Sequence, residues 1–252
     1  MEGKKIIVSG PPTDRVIRAF NNVRFYKTDM SGKCDSLHSS TKNELTQLIG
    51  KPVLWNNENQ MTGDVIHLIG NNETEKLDSL KVLNNAFIIQ KDSLSKNGFN
   101  QMKGQNLFGR FEENKLKEVD IIKNAESIYY IYNDKNEFVG IRKSVCSRIN
   151  LEMNENKIET MTGYKDTESN IYPDNEFPEN ARKLRGFAWR GDERILSKEN
   201  IFPEEELAID AKVQIDAQKK AIESDKPMEI QKETLEYDEK NPKPKDKTVK
   251  KL

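Results

Sequence analysis

Apolar and polar residues alternate in short stretches along most of the chain, and this pattern predicts β-strands. In RINLEM (148–153), for example, Asn150 and Glu152 separate three apolar residues. A period of two residues places the apolar side chains on one face of a strand. We expect strands of about 5–8 residues at intervals of about 10–14 residues, and almost no helical periodicity before residue 203.

The strands belong to an internal repeat. The pattern NQMxG occurs at 59–63 and again at 100–104, which places the two copies 41 residues apart. Met30-Ser-Gly32 is a weaker earlier copy, and a fourth copy around Ile149 keeps the strand but lacks the glycine. Stacked copies of one unit need only short connections, so we predict an all-β architecture built by stacking. The alternative is chance similarity among β-hairpins.

Asparagine and glycine mark the places where the strands turn or bend. Turns are expected at Glu113-Asn-Lys-Leu116 and at 155–158, because asparagine tolerates the positive φ that tight hairpins require. The glycines of the repeat suit bulges or bends. A flat sheet with one apolar face would aggregate, so the copies must close over a shared interior, either as a sandwich or as a folded-over groove.

The composition changes along the chain and divides it into five segments. Residues 164–202 carry aromatic side chains and prolines and are expected to cover the edge of the last strand, as a cap does in a stacked array. A helix is predicted after Pro203, because an acidic first turn is followed by a lysine-rich end. The polar remainder lacks a periodic apolar face and is predicted to be disordered, either as a solvated terminus or as a docking tail. The predicted segments are a lead-in (1–15), the repeat domain (16–163), the cap region (164–202), a helix (203–223) and the polar tail (224–252).

Charge and residue usage exclude several classes of function. With 41 Lys and Arg against 42 Asp and Glu, the chain lacks the cationic face that a nucleic-acid binder needs. No run of 18 apolar residues is present to span a membrane. His38 and His67 lie outside any metal-binding motif, and Cys34 and Cys146 stand far apart without a CxxC motif. We therefore predict no metal, no cofactor and no enzymatic activity.

Five segments in this order resemble the OstA-like family, the LptA-type proteins of lipopolysaccharide transport, in the branch found in Bacteroidota. The resemblance covers about residues 10–202. The segments that carry it are MSGKCDSL (30–37), KPVLWNNENQMTGD (51–64), NQMKGQNLFGRFEENKLKEVD (100–120), NAESIYYIYNDKNEFVG (124–140) and RKLRGFAWRGDERI (182–195).

The resemblance implies a fold, a ligand and a location. The fold would be a stacked-strand β-jellyroll (a β-taco), in which two facing sheets leave an apolar slot for the acyl chains of lipopolysaccharide or a related amphiphile. Such domains stack end to end through their edge strands into a bridge across the periplasm. Because Met1-Glu-Gly-Lys-Lys5 has no apolar export signal, the resemblance also implies that this sequence is a fragment of a longer precursor.

Alternation along the strands selects sixteen candidates for the lining of the slot, although the same residues would also pack a closed core. They are Val23, Phe25, Leu37, Val53, Trp55, Ile66, Leu68, Phe87, Ile89, Leu107, Phe111, Ile128, Tyr130, Ile149, Leu151 and Met153. The function expected is passive sheltering of acyl chains. The alternative is a ligand-free β-repeat scaffold or interaction module in envelope assembly. A glycan-acting β-solenoid enzyme is disfavoured, because no carboxylates converge on a common cleft.

Overall fold

Antiparallel strands make up most of the fold. The structure is a computed structural model that describes residues 3–56, 58–154, 157–202 and 215. Within these residues the strands are β1 (Lys5–Ser9), β2 (Val16–Lys27), β3 (Met30–Ser40), β4 (Leu45–Ile49), β5 (Val53–Asn56), β6 (Asn59–Thr62), β7 (Val65–Asn71), β8 (Lys76–Lys91), β9 (Phe99–Glu112), β10 (Lys115–Tyr132), β11 (Phe138–Asn154), β12 (Lys157–Tyr164) and β13 (Glu168–Tyr172). The all-β prediction is confirmed.

The long strands bend in the middle, at pairs of residues with positive φ. Asn21 and Asn22 have φ of 63° and 57°, and Asn84 and Asn85 have φ of 56° and 50°. The ladder shifts its register at these pairs and then continues on the other side. Asparagine is one of the few residues that adopt this conformation readily. The bends of neighbouring strands align, so the sheet folds over along one line.

The fold line divides the sheet into two facing walls. Wall I has the strand order β1-β2-β3-β4-β7-β8-β9-β10-β11-β12 and uses only the segments on one side of the bends, such as 16–20, 36–40 and 76–83. Wall II has the order β2-β3-β5-β6-β8-β9-β10-β11-β13 and uses the segments on the other side, such as 23–27 and 86–91. We call the side opposite the bends the mouth.

The predicted strand length of about 5–8 residues was wrong for the long strands. β10 runs for 18 residues and β11 for 17, because the backbone at each bend forms a bulge and the hydrogen-bonded ladder resumes after it. A bulge bends a strand without ending its pairing. The turn predicted at Glu113-Asn-Lys-Leu116 is present between β9 and β10, where Glu113 and Asn114 have φ of 53° and 61°.

The main core lies between the two walls. Wall I contributes buried side chains such as Leu48 and Ile66, and wall II contributes Met61, Ile88 and Met102 to the same cluster. A period of two directs alternate side chains of each wall inward. The copies therefore close on a shared interior in the folded-over arrangement.

The register corrects one alignment within the repeat. Across wall II, Gly32 pairs with Leu54, Leu54 pairs with Met61, Met61 pairs with Ile88 and Ile88 pairs with Met102. Gly32 therefore occupies the position that methionine occupies in the next two copies, and Cys34 occupies the position of Gly63 and Gly104. Met30-Ser-Gly32 is not in register with the two later MxG motifs. The free, buried thiols of Cys34 and Cys146 occupy equivalent positions in β3 and β11.

A second apolar cluster covers the outer face of wall II. Residues 173–201, which we call the cap, place Phe177 and Leu184 against Phe87, Ile128 and other residues of that face. The prediction that this part of the chain covers the edge of the last strand fits residues 168–172, which pair with β11, but does not describe the cap. Residues 168–172 form β13 at the edge of wall II, and the cap lies on the sheet face, because that face carries apolar side chains which water would otherwise contact.

Some predictions lie outside the described residues. Residues 1–201 form one compact unit and 202–252 a second, of which only 202 and 215 are described. The helix at 203–223 and the tail at 224–252 therefore remain predictions, as do the five segment boundaries. β1 lies within the lead-in and pairs with β2. In the part of the chain that is described, no helix is long and apolar enough to cross a membrane.

Candidate functional site

A cleft opens between the two walls at the end of the stack where the chain begins. Its volume is about 740 Å³, within the range of about 300–1,000 Å³ common for small-molecule sites. It reaches the mouth at the turns that contain Thr41 and Asn72. Its apolar lining includes Ile17, Phe25, Met30, Leu37, Leu68 and Leu77.

Small residues of wall I leave part of this space empty. A row of directly paired residues runs across the inner face in the order Ile17, Ser39, Thr46, Leu68 and Leu80. Leucine fills the row at Leu68 and Leu80, but Ser39 and Thr46 occupy the equivalent positions beside the cleft. Their hydroxyl oxygens lie 2.8 Å apart and share a hydrogen bond. In this row the apolar lining of the cleft is therefore interrupted by one pair of hydroxyls.

Gly32 creates the rest of the space in wall II. Phe25 pairs with Gly32, and a Cβ atom at Gly32 would lie only 2.4 Å from the Cε1 atom of the Phe25 ring. The ring therefore lies flat over the glycine. In the next copies Met61 and Met102 take the glycine position and fill the gap between the walls. A side chain at 32 would push the Phe25 ring into the cleft.

Close packing replaces the cleft farther along the stack. Leu80, Val82, Leu107, Val119 and Ile121 are completely buried in the main core. Large side chains from both walls meet there, as in an ordinary protein interior. Among the described residues, the later copies of the repeat are thus closely packed between the walls.

The rim at the mouth is polar and carries charges of both signs. Lys27, Asp29 and Glu75 line it, and Lys76 forms an ion pair with Glu113. Hydrogen bonds hold two turns of wall I together at the rim. The Glu44 carboxylate accepts a bond of 2.7 Å from the backbone N–H of Asn72, whose side-chain amide donates to the carbonyl of Thr41 at 2.7 Å. The mouth therefore has a fixed polar edge above an apolar floor.

The sixteen predicted lining residues are divided among three environments. Phe25, Leu37 and Leu68 line the cleft. Seven residues are buried in the packed part of the main core: Val23, Ile66, Leu107, Phe111, Ile149, Leu151 and Met153. Six residues point to the outer face of wall II instead: Val53, Trp55, Phe87, Ile89, Ile128 and Tyr130.

The outward placement of those six residues has a physical reason. Wall II is apolar on both faces, since one face meets wall I and the other meets the cap. In FIIQ (87–90) the apolar residues are continuous, so the alternation does not indicate which residues face the interior. Here Ile88 is the inward residue, and Phe87 and Ile89 lie beneath the cap.

Two glutamines of the repeat hold the cap in place, a role the sequence reasoning missed. Gln101 donates to the carbonyl of Arg182 at 2.7 Å and accepts from the N–H of Leu184 at 2.9 Å. Gln60 does the same with the carbonyl of Ala188 at 2.7 Å and the N–H of Arg190 at 2.6 Å. Both side chains are almost fully buried. The available signal was the recurrence of glutamine at the same place in both copies of the NQM motif.

Charged groups anchor the same segment to wall II. Glu193 in the cap binds the Arg190 guanidinium at 2.7 Å and the Lys33 ammonium at 2.8 Å. Hydrogen bonding to Arg190 and, less strongly, to Lys33 lowers the pKa of the Glu193 carboxyl to about 2. At neutral pH the carboxylate is ionised and ties the cap to wall II.

Two ionisable side chains of the walls, those of His67 and Cys34, have shifted pKa values. His67 lies on the outer face of wall I, where Gln47 binds its Nε2 atom at 3.0 Å, and partial burial together with Lys81 lowers the pKa of its imidazole. Burial raises the pKa of the Cys34 thiol to about 12, which keeps it protonated. Across residues 3–56, 58–154 and 157–202, no group of three His, Cys, Asp or Glu side chains is arranged to hold a metal ion.

Comparison with known proteins finds a likeness to a solved structure. No family model and no curated protein matches the sequence. Among solved structures, the chain is similar to LptH from Pseudomonas aeruginosa, described as the LptA homologous periplasmic component of the conserved lipopolysaccharide transport device. The identity is 13% and the TM-score 0.43, over 58% of this chain and 100% of that chain. Membership of the OstA-like family, and of its Bacteroidota branch, stays a prediction.

Proposed function

We propose that this chain is a periplasmic carrier that shelters the acyl chains of lipopolysaccharide or a related amphiphile in the cleft. The observation that carries the proposal is the cleft itself, an apolar space of about 740 Å³ with a polar rim, between two walls that are elsewhere closely packed. Lipopolysaccharide is the ligand that the resemblance to OstA-like proteins suggests. No catalytic step is involved.

The hydrophobic effect supplies the free energy for such binding. Each buried methylene is worth about 0.8 kcal/mol, so eight methylenes in the cleft would contribute about 6 kcal/mol before the cost of ordering the ligand. The charged headgroup would remain at the rim, where Lys27 and Asp29 meet water. An amphiphile matches this division, because one end of it is apolar and the other is hydrated.

The edge strand next to the cleft supports a lateral hand-over. Among the described residues β1 pairs only with β2, and Ile6, Ile7 and Val8 are 40%, 40% and 57% exposed. An edge strand with unpaired backbone groups is a template for another strand. Another OstA-type domain that adds a strand to β1 would extend wall I and place its own slot beside the cleft, so that acyl chains move along a bridge.

The second candidate function is a ligand-free β-repeat scaffold or interaction module in envelope assembly. The packing in the later copies of the repeat favours it. Met102, Ile121 and Leu151 leave no space between the walls. Under this alternative, the cleft would be a packing defect at the end of the stack and would hold only water. The two functions differ in whether an amphiphile enters the cleft.

Photo-crosslinking tests the carrier function. A photoreactive residue at Leu68 would face the cleft, one at Leu107 would lie in the packed core, and one at His67 would face outward beside Leu68. With purified lipopolysaccharide, we expect adducts at position 68 and none at 107 or 67. Absence of adducts at position 68, or equal labelling at position 67, would refute the carrier.

A further inference from the structure

The Ser39–Thr46 pair is a polar feature of the cleft that a purely apolar ligand would leave unused. Both residues line the cleft, both are half-buried, and their oxygens share one hydrogen bond of 2.8 Å. Their neighbours in the same row are Ile17 and Leu68, which are apolar. Within this row the pair is therefore a polar spot between two apolar neighbours.

The pair has hydrogen-bonding capacity left over. Each hydroxyl has one donor and two acceptor positions, and the shared bond uses one donor and one acceptor. One O–H and three lone-pair positions remain available. A ligand that covered the pair with methylenes would displace water from these positions without replacing its hydrogen bonds, which costs free energy.

The position of the pair along the cleft indicates which part of a ligand it would meet. In β3, Leu37 lies deeper, nearer to the bend, and Thr41 follows the strand at the mouth. Ser39 and Thr46 are therefore one row inside the rim. A headgroup at the rim would place the first few atoms of its acyl chain beside them.

We infer that the cleft selects an acyl chain that bears a hydroxyl group close to its headgroup, and that Ser39 and Thr46 recognise this hydroxyl. The inference rests on the proposed function, because it names the chemistry of the acyl chain within the same site. The ligand hydroxyl donates to one of the protein oxygens and accepts the remaining O–H. Phe25 and Leu37 contact the methylenes beyond it.

Calorimetry with two fatty acids tests the inference. The probes are myristate and β-hydroxymyristate, both below their micelle concentrations, titrated into the full chain. We expect β-hydroxymyristate to bind about fivefold more tightly, the effect of one net hydrogen bond. In the double variant Ser39→Ala/Thr46→Val, the preference should vanish while affinity for myristate is kept or improved.

A single variant and a control variant sharpen the test. Thr46→Val leaves the Ser39 hydroxyl without its protein partner, so the preference for β-hydroxymyristate should be kept or increased. Thr160→Val changes an exposed threonine of β12 that lies outside the cleft and should alter neither affinity. Thermal unfolding of each variant shows whether the fold is retained.

The outcomes separate the inference from the proposed function. If the wild-type chain binds both fatty acids equally, or the double variant keeps the preference, the inference is refuted and the carrier function stands. If the wild-type chain binds neither fatty acid and also gives no lipopolysaccharide adduct at position 68, the carrier function is refuted and the inference falls with it.

Discussion

Substitution of Gly32 by alanine should be tolerated, whereas the same change at Gly104 should destabilise the protein. At Gly32 the new Cβ would lie 2.4 Å from Cε1 and 2.5 Å from Cζ of Phe25. Normal carbon contacts are about 3.5–4.0 Å, so the ring must move by about 1 Å or more. The cleft lies beside the ring and accepts this movement.

The two sites differ in what surrounds the displaced atom. At Gly104 the new Cβ would lie 2.7 Å from Cγ2 of Ile121, which is completely buried and lies outside the cleft. Overpacking of a filled core costs about 1–3 kcal/mol. At Gly32, relief of glycine's backbone entropy contributes about 0.5–1 kcal/mol and offsets much of the strain. We expect Gly32→Ala to stay within about 1 kcal/mol of the wild type.

Chemical denaturation and thermal unfolding measure both effects. A change of 1 kcal/mol shifts Tm by about 2–4 °C for a chain of this size. Gly70→Ala is a control at another glycine that lines the cleft. Its new Cβ atom would have its nearest neighbour, the carbonyl oxygen of Lys76, at 3.7 Å, so no atom has to move. If Gly32→Ala lost as much stability as Gly104→Ala, the account of the cleft as free space beside Phe25 would be wrong.

Three further predictions concern the cap and the buried thiol. Gln101→Ala should speed hydrogen exchange and proteolysis in residues 182–190, because two hydrogen bonds are lost, whereas Gln105→Ala at the exposed bend should not. Burial keeps the Cys34 thiol neutral in the folded protein up to about pH 12, whereas it ionises near pH 9 in the unfolded chain. The free energy of unfolding should therefore fall by about 1.4 kcal/mol per pH unit above pH 9. Denaturation of Cys34→Ala, measured over the same pH range, should lack this contribution. The lowered pKa of the Glu193 carboxyl stabilises the fold above about pH 4.5, and this contribution is lost as the pH falls towards 2. Glu193→Gln should therefore lose stability at pH 7 and show a flatter acid-unfolding curve. An unchanged curve would contradict the role given to Glu193 in holding the cap.

The alternation of apolar and polar residues predicted the inward-facing side chains of wall I better than those of wall II. The outer face of wall I carries polar side chains, so Asn150 and Glu152 separate Ile149, Leu151 and Met153, and the alternation identifies the three residues that face the interior. Wall II is covered on both faces, and the choice of Phe87 and Ile89 over Ile88 was wrong in direction.

The cleft could not be located from the sequence, because it depends on pairs of residues far apart in the chain. Ser39 meets Thr46 across β3 and β4, and Phe25 meets Gly32 across β2 and β3. Each residue alone is an ordinary small or aromatic strand residue. Only when the register aligns them does a gap form between the walls. Of the predicted lining residues, Phe25, Leu37 and Leu68 are the ones that contact this gap.

The amino-acid sequence by itself determined that the described residues up to 201 form mainly β-strands and that the chain turns at Glu113-Asn114, since these properties follow from local periodicity and backbone preference. The tertiary structure decided which face of wall II is interior, where the cap binds and where the slot stays open. The physical reason is that bulges at Asn21–Asn22 and Asn84–Asn85 reset the alternation within a strand, and that empty space depends on side chains from several strands meeting.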